Sequence, residues 1–151
     1  MSNIYHYKEC GLDNVFIEGI DVCIDDDGDE VITISAVNEL HQAIALGIVS
    51  HEHGISGAEL RFLRTEMGYT QAELAIFVHN DKQTIGRWER SEYDIDSSAE
   101  TIIRRLTIEK LNLDVELAME ELARRSIPTV PMQPINIKKS NSNGHYELLV
   151  A

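Results

Sequence analysis

Four short polar motifs constrain this chain most, because each one marks the start of a helix. Between residues 56 and 100, a serine, threonine or asparagine stands three residues before a glutamate or glutamine at four places. In such a capping box the first side chain binds the N–H of the fourth residue, whose side chain reaches back. The sequence therefore predicts a cluster of short helices, starting at these pairs: Ser56 with Glu59, Thr70 with Glu73, Asn80 with Gln83, and Ser97 with Glu100.

Apolar residues at helical spacing support the same cluster. Gly68 is placed to end the first helix, because glycine adopts the left-handed conformation that commonly ends helices. The last helical pattern runs over 107–125 and predicts one continuous fifth helix. The expected buried faces are Leu60, Leu63 and Met67; Leu74, Ala75 and Val78; Ile85 and Trp88; Ile102, Ile103 and Leu106; and Ile108, Leu111, Val115, Ala118 and Leu122.

The N-terminal third has the pattern of short strands followed by a helix. Runs of β-branched and aromatic residues lie between residues 4 and 34, separated by glycine and aspartate. The acidic stretch 25–30 sits between two apolar runs and predicts a hairpin loop. Ser35 is expected to cap a helix over roughly 36–50. A calcium loop does not fit, since the positions of the first and last ligands hold Cys23 and Ile34.

The C-terminal segment changes character at Ile127. Pro128, Pro131 and Pro134 exclude a helix and favour an extended path. Two apolar runs, 135–137 and 146–150, then flank a polar stretch and predict a hairpin or an edge strand. We therefore expect an α+β fold with three parts: a β/α module over 1–54, a five-helix domain over 55–126, and an extended tail over 127–151.

Charge is distributed unevenly along the 151 residues. The formal net charge is −13, but residues 1–55 hold one basic and eleven acidic side chains, whereas residues 56–106 hold seven and nine. The local field and not the net charge governs contact with a polyanion. The sequence has no long apolar span and no secretion signal, so a cytoplasmic protein is expected, with Cys10 and Cys23 as thiols.

Residues 70–90 meet the requirements of a helix-turn-helix. Such a motif needs two short helices, a tight connection, a small residue at their crossing and an exposed face on the second helix. Ala75 supplies the small residue, while Ile85 and Trp88 are expected to bury the second helix. The face left for solvent or DNA contains Lys82, Gln83, Thr84, Gly86 and Arg87.

Residues 56–106 resemble the Xre/Cro family of lambda-repressor-like regulators. The two strongest stretches of similarity are 69–75 and 85–91, although the family often has glycine where this chain has His79 and Ser91. The resemblance implies binding to double-stranded DNA, with Gln71 on a phosphate and with Lys82, Gln83, Thr84 and Arg87 at the base-reading positions. The chemistry agrees, because glutamine can pair with adenine, arginine or lysine with guanine, and the threonine methyl with thymine. Arg64 and Arg90 are expected to contact phosphates.

The whole chain resembles MqsA-like antitoxins in layout alone. That family's zinc domain has two CxxC pairs, which this sequence lacks, so no zinc or other cofactor is expected. Two roles remain open. The chain is either an antitoxin that represses its own operon and binds a toxin, or a stand-alone regulator whose acidic module binds a ligand or another protein. No enzymatic signature appears in the sequence.

A helix-turn-helix protein commonly pairs on a palindromic operator, so we expect a homodimer. The apolar run Ile108, Leu111, Val115 and Leu122 is one candidate for the dimer surface. Packing of the same residues inside the chain is the other interpretation.

Overall fold

The computed structural model describes residues 4–126, 134–140 and 144–149 and has a mixed α/β fold. Its described elements are six strands and six helices: β1 (Ile4–His6), β2 (Val15–Glu18), β3 (Asp21–Ile24), β4 (Glu30–Thr33), α1 (Val37–Ser50), α2 (Gly57–Met67), α3 (Gln71–Phe77), α4 (Lys82–Glu89), α5 (Ser97–Lys110), α6 (Met119–Arg125), β5 (Ile135–Lys139) and β6 (Tyr146–Leu149). The extended path predicted for Pro128 and Pro131 lies outside the described residues.

Both ends of the chain contribute strands to the main sheet, whose order is β1-β2-β5-β6. β2 and β5 run parallel, with Val15 opposite Ile135 and Ile17 opposite Ile137, and the other neighbours are antiparallel. These four side chains are buried on the same face, as the two-residue period of a strand requires. The predicted C-terminal hairpin is therefore present, and it extends the N-terminal sheet.

The acidic stretch forms the predicted hairpin loop between β3 and β4. These two strands pair with each other in a separate sheet. Oδ1 of Asp25 accepts hydrogen bonds from the backbone N–H groups of Asp27 and Asp29, at 3.0 and 2.8 Å. Gly28 adopts a φ of 86°, which glycine tolerates without strain. The loop is thus held by hydrogen bonds between its own residues.

α1 packs across the main sheet and buries Leu40, Ile44 and Ile48. The helix begins at Val37, and Ala36 occupies the N-cap position with no side-chain bond. The prediction that Ser35 caps this helix is wrong. The carbonyl of Ser35 instead accepts a 2.6 Å hydrogen bond from the hydroxyl of Tyr146 on β6, a partner that is distant in sequence.

Two of the four predicted capping boxes are present, those of Ser56 with Glu59 and of Thr70 with Glu73. The other two predictions are wrong, because a neighbouring aspartate caps each helix. Asp81 and not Asn80 accepts from the N–H of residue 84, and Asp96 and not Ser97 accepts from the N–H of residue 99. An aspartate one residue away offers an equally good acceptor, and the turn geometry decides between them.

Helices α2 to α5 all end in the same way. At each end, a residue with positive φ is followed by a residue whose N–H bonds to the carbonyl five positions earlier, as in a Schellman motif. Only one of the four left-handed residues is the predicted glycine, and the set is Gly68, His79, Ser91 and Asn112.

The predicted continuous helix over 107–125 is wrong. α5 continues to Lys110 and ends at the left-handed Asn112, and a second helix begins only at Met119. Ile108 and Leu122 are 6% and 0% exposed within the hydrophobic core that also holds the strands. Packing inside the chain therefore accounts for these two members of the candidate dimer surface.

Candidate nucleic-acid interface

The helix pair α3 and α4 is joined by residues 78–81 and buries the face that the sequence predicts. Ala75 is 3% exposed where the helices pack together, and Val78 in the connection is 7% exposed. Ile85 and Trp88 of α4 are likewise buried, at 0% and 5%. Burial of Ile85 and Trp88 fixes the rotation of α4 about its axis, so the opposite face of α4 points outward.

The outward face of α4 carries the predicted base-reading side chains, but the prediction that Gly86 also lies on this face is wrong, because Gly86 is buried. Lys82, Gln83 and Arg87 are exposed. Gln83 and Arg87 are one helical turn apart and therefore share a face. Among the residues that the structure describes, none of these three makes a side-chain hydrogen bond or an ion pair. Their polar groups are thus free to bind an external partner.

The start of α4 is organised by Asp81. Its Oδ1 accepts hydrogen bonds from both the N–H and the hydroxyl of Thr84, each at 2.8 Å. These bonds lower the pKa of Asp81, with a smaller contribution from Arg87. Thr84 is half-buried, and its hydroxyl is engaged in the cap. Only its methyl group remains for a contact such as the one predicted with thymine.

Glu89 connects three elements on the inner side of the helix pair. Its carboxylate accepts hydrogen bonds from Nε and Nη2 of Arg64 on α2, at 2.6 and 3.1 Å, and from Nε2 of Gln71 on α3, at 3.1 Å. Arg64 also donates to the carbonyl of Tyr69 at 3.0 Å. Arg64 and Gln71 are the residues predicted to contact phosphates, and both are bound by side chains or carbonyls of the chain itself. Sequence reasoning gave Glu89 no role, because its partners lie 18 and 25 positions away.

Arg90 follows α4 and is exposed. Its guanidinium pairs with Glu92 at 2.8 Å, and the two side chains are 63% and 53% exposed. An ion pair this exposed contributes little stability, so a phosphate can displace Glu92 at small cost. The predicted phosphate contact by Arg90 stays a prediction.

His79 lies just after α3, and Ser91 lies just after α4. They adopt φ values of 55° and 60°, in the left-handed region that disfavours residues with a Cβ. The N–H groups that follow bond to the carbonyls of Ala75 and Arg87 at 3.0 and 2.9 Å. The backbone thus makes the same turn at both places, without glycine.

Within residues 4–126, 134–140 and 144–149, no group of three or more His, Cys, Asp or Glu is arranged to hold a metal ion. The helices in these ranges are all too short or too polar to cross a membrane.

Comparison with protein-family models, with curated proteins and with solved structures found no match to this chain. The functional interpretation therefore depends on the geometry and chemistry of α3 and α4.

Proposed function

We propose that this protein binds double-stranded DNA in a sequence-specific manner through α4 and regulates transcription. One observation carries the proposal. α4 has an inner face fixed by Ile85 and Trp88 and an outer face on which Gln83 and Arg87 are exposed and unbonded. A short, rigidly held helix with free amide and guanidinium groups is suited to the major groove.

The acidic side chains that the structure describes do not cover this face. Lys82, Gln83 and Arg87 remain exposed although residues 1–55 carry a net charge of −10 out of −13. A local basic surface can bind phosphates while the net charge of −13 weakens binding to non-target DNA. The overall acidity is therefore compatible with the proposal and favours selectivity.

The turns after α3 and α4 agree with the resemblance to Xre/Cro regulators. The family often has glycine at the places of His79 and Ser91, and both residues have the left-handed backbone that glycine favours. We propose that α2–α6 form a lambda-repressor-like domain. In it Gln83, Lys82 and Arg87 read bases, the methyl of Thr84 contacts thymine, and Arg90 contacts a phosphate. Gln71 and Arg64, which bind Glu89, contact phosphates through their remaining N–H groups.

DNA binding is tested by fluorescence anisotropy on the duplex upstream of the protein's own gene, over a series of salt concentrations. Arg87→Ala is expected to weaken specific binding by about 1–3 kcal/mol and to relax base preference at one position. Arg105→Ala removes the same charge from α5, where Arg105 pairs with Glu109, and is the matched control. Equal base preference for Arg87→Ala and the wild type would refute base reading by this residue.

We further propose that the protein is a cytoplasmic homodimer on a palindromic operator and that it is an antitoxin repressing its own operon. The acidic hairpin loop is suited to contact a basic partner, because residues 25–30 are exposed and carry five carboxylates. Stable co-purification with a basic protein encoded beside it is expected. A lone dimer that still binds its operator would instead favour the stand-alone regulator.

A further inference from the structure

A second site lies away from the exposed face of α4, in a cavity of about 560 Å³ between the turn at residues 9–11 and the helices α1, α2 and α4. One wall is residues 9–11, and the other is the face of α2 that carries Ala58, Arg61, Phe62, Thr65 and Glu66. A cavity of this volume matches the size of small-molecule sites.

Most charged groups around the cavity already have partners. The carboxylate of Glu89 is occupied by Arg64 and Gln71, and the carboxylate of Glu9 accepts from the hydroxyl of Tyr5. Nδ1 of His41 lies 2.7 Å from one oxygen of Glu66, and Nε2 of His41 lies 3.1 Å from the hydroxyl of Tyr7. These groups form the frame of the cavity.

Three polar groups remain available on α2. Arg61 makes no hydrogen bond or ion pair with any residue in the described part of the chain, and neither does the hydroxyl of Thr65. The second carboxylate oxygen of Glu66 also accepts no bond from a described residue. Arg61 and Thr65 are one turn apart and form an anion-binding pair, because a guanidinium and a hydroxyl can both donate to a carboxylate. Glu66 adds a negative charge beside them.

The apolar part of the cavity is supplied by Phe62 and Ala58. The ring of Phe62 is held edge-on against His41, with centroids 5.3 Å apart. Ala58 is one turn from Phe62, and its small side chain leaves the space above the helix open. Cys10 on the opposite wall is a neutral thiol, because burial raises its pKa.

We propose that this cavity binds a small zwitterion of the α-amino-acid type. The carboxylate of the ligand binds Arg61 and Thr65, its ammonium group binds the free oxygen of Glu66, and its side chain lies against Phe62. An anion alone would face the carboxylates of Glu9 and Glu66, and a cation alone would face the guanidinium of Arg61. A ligand with both charges satisfies both groups at once.

The test is titration of the full chain with each common L-α-amino acid, followed by backbone amide NMR. At least one amino acid is expected to bind with a Kd of about 1 mM or tighter and to shift the amides of residues 9–11 and 58–66. Its amide and its desamino analogue, which each lack one charge, are expected to bind about tenfold more weakly or worse. Binding is measured without DNA, so this result is independent of the proposed DNA-binding function.

Two variants locate the site. Arg61→Ala is expected to weaken binding at least about tenfold through loss of a charged hydrogen bond. Ala58→Leu is expected to weaken it at least as much, because the larger side chain occupies the space beside Phe62 where the side chain of the ligand lies. Arg105→Ala on α5 is the control and should bind as the wild type does. Failure of every amino acid to bind, equal binding of a one-charge analogue, or unchanged binding by Ala58→Leu with a native circular dichroism spectrum would each overturn the proposal.

Discussion

Arg104 is a charged residue with no exposed surface, and its hydrogen-bond partners explain how the fold accommodates it. Its guanidinium pairs with Glu100 at 3.3 Å and donates to the carbonyls of Val49, His51 and Arg125 at 2.8, 3.1 and 3.2 Å. Burial raises the pKa of Glu100, although Arg104 acts in the opposite direction. Arg104 therefore connects α5 to three other segments, which are the end of α1, the loop after α1 and the end of α6.

Replacement of this arginine is expected to be strongly destabilising. Arg104→Met leaves Glu100 buried without a counter-charge and leaves several carbonyls without donors, which costs about 3–5 kcal/mol. The measurement is urea denaturation followed by circular dichroism. Arg105→Met is the matched control, because the neighbouring side chain is 42% exposed and its ion pair with Glu109 contributes little. Equal midpoints for the two variants would contradict the assigned role of Arg104.

At the scale of single elements, α2 to α5 each end at a left-handed residue, although only α2 has glycine at that position. Ser91 ends α4 in the left-handed conformation, where a Cβ costs about 1–2 kcal/mol. Ser91→Gly is therefore expected to raise the free energy of unfolding by about 0.5–1 kcal/mol, after allowance for the extra freedom of glycine in the unfolded chain.

Thermal unfolding of Ser91→Gly and of Ser98→Gly checks this prediction. Ser98 is also exposed, but it lies in the first turn of α5 with a negative φ, so glycine there relieves no strain and only adds freedom to the unfolded chain. We expect a higher midpoint for the first variant and a lower one for the second. A lower midpoint for both would mean that residue 91 is not held in a left-handed turn.

The approach of α2 to α4 depends on Gly57. A Cβ at this position would lie 2.4 Å from the carbonyl oxygen of Trp88 and 2.6 Å from that of Glu89, and backbone atoms cannot move aside easily. Gly57→Ala is therefore expected to destabilise the protein by about 1–3 kcal/mol despite the better helix propensity of alanine. Denaturation in urea measures the loss.

Gly86→Ala is the matched control for this contact. A Cβ at Gly86 would meet only the mobile end of Arg90, at 3.1 Å, and the amide of Gln71, at 3.6 Å. Alanine there is expected to be neutral or to stabilise α4 by up to about 1 kcal/mol. Indistinguishable effects of the two substitutions would show that α2 does not approach α4 this closely.

At the scale of the whole molecule, the C-terminal hairpin holds the N-terminal sheet together. Ile137 of β5 is fully buried opposite Ile17, whereas its neighbour Lys138 is exposed. Ile137→Ala is expected to lower the free energy of unfolding by about 2–5 kcal/mol, and Lys138→Ala to change it by less than about 0.5 kcal/mol. If urea denaturation showed a small effect for both, β5 would not be part of the core.

Local sequence predicted most of the elements but few of their partners. The strands, the acidic hairpin loop, α1 apart from its cap, and the buried faces of α3 and α4 all follow from periodicity and turn residues. The sequence does not signal the break between α5 and α6, because the apolar spacing from Ile108 to Leu122 continues across the left-handed Asn112. Glu89 and Arg104 were missed because their partners are distant in sequence.

By itself, the sequence determined which faces of α2, α3 and α4 are apolar, where two capping boxes begin helices, and that α4 presents Gln83 and Arg87 together. These properties depend on residues within one or two turns, whose spacing is fixed by the backbone. Only the tertiary structure decided that β5 lies beside β2, that Arg64 and Gln71 bind Glu89, and that Arg104 is buried. Such contacts depend on which surfaces pack together, and chain geometry near a residue does not specify a partner many positions away.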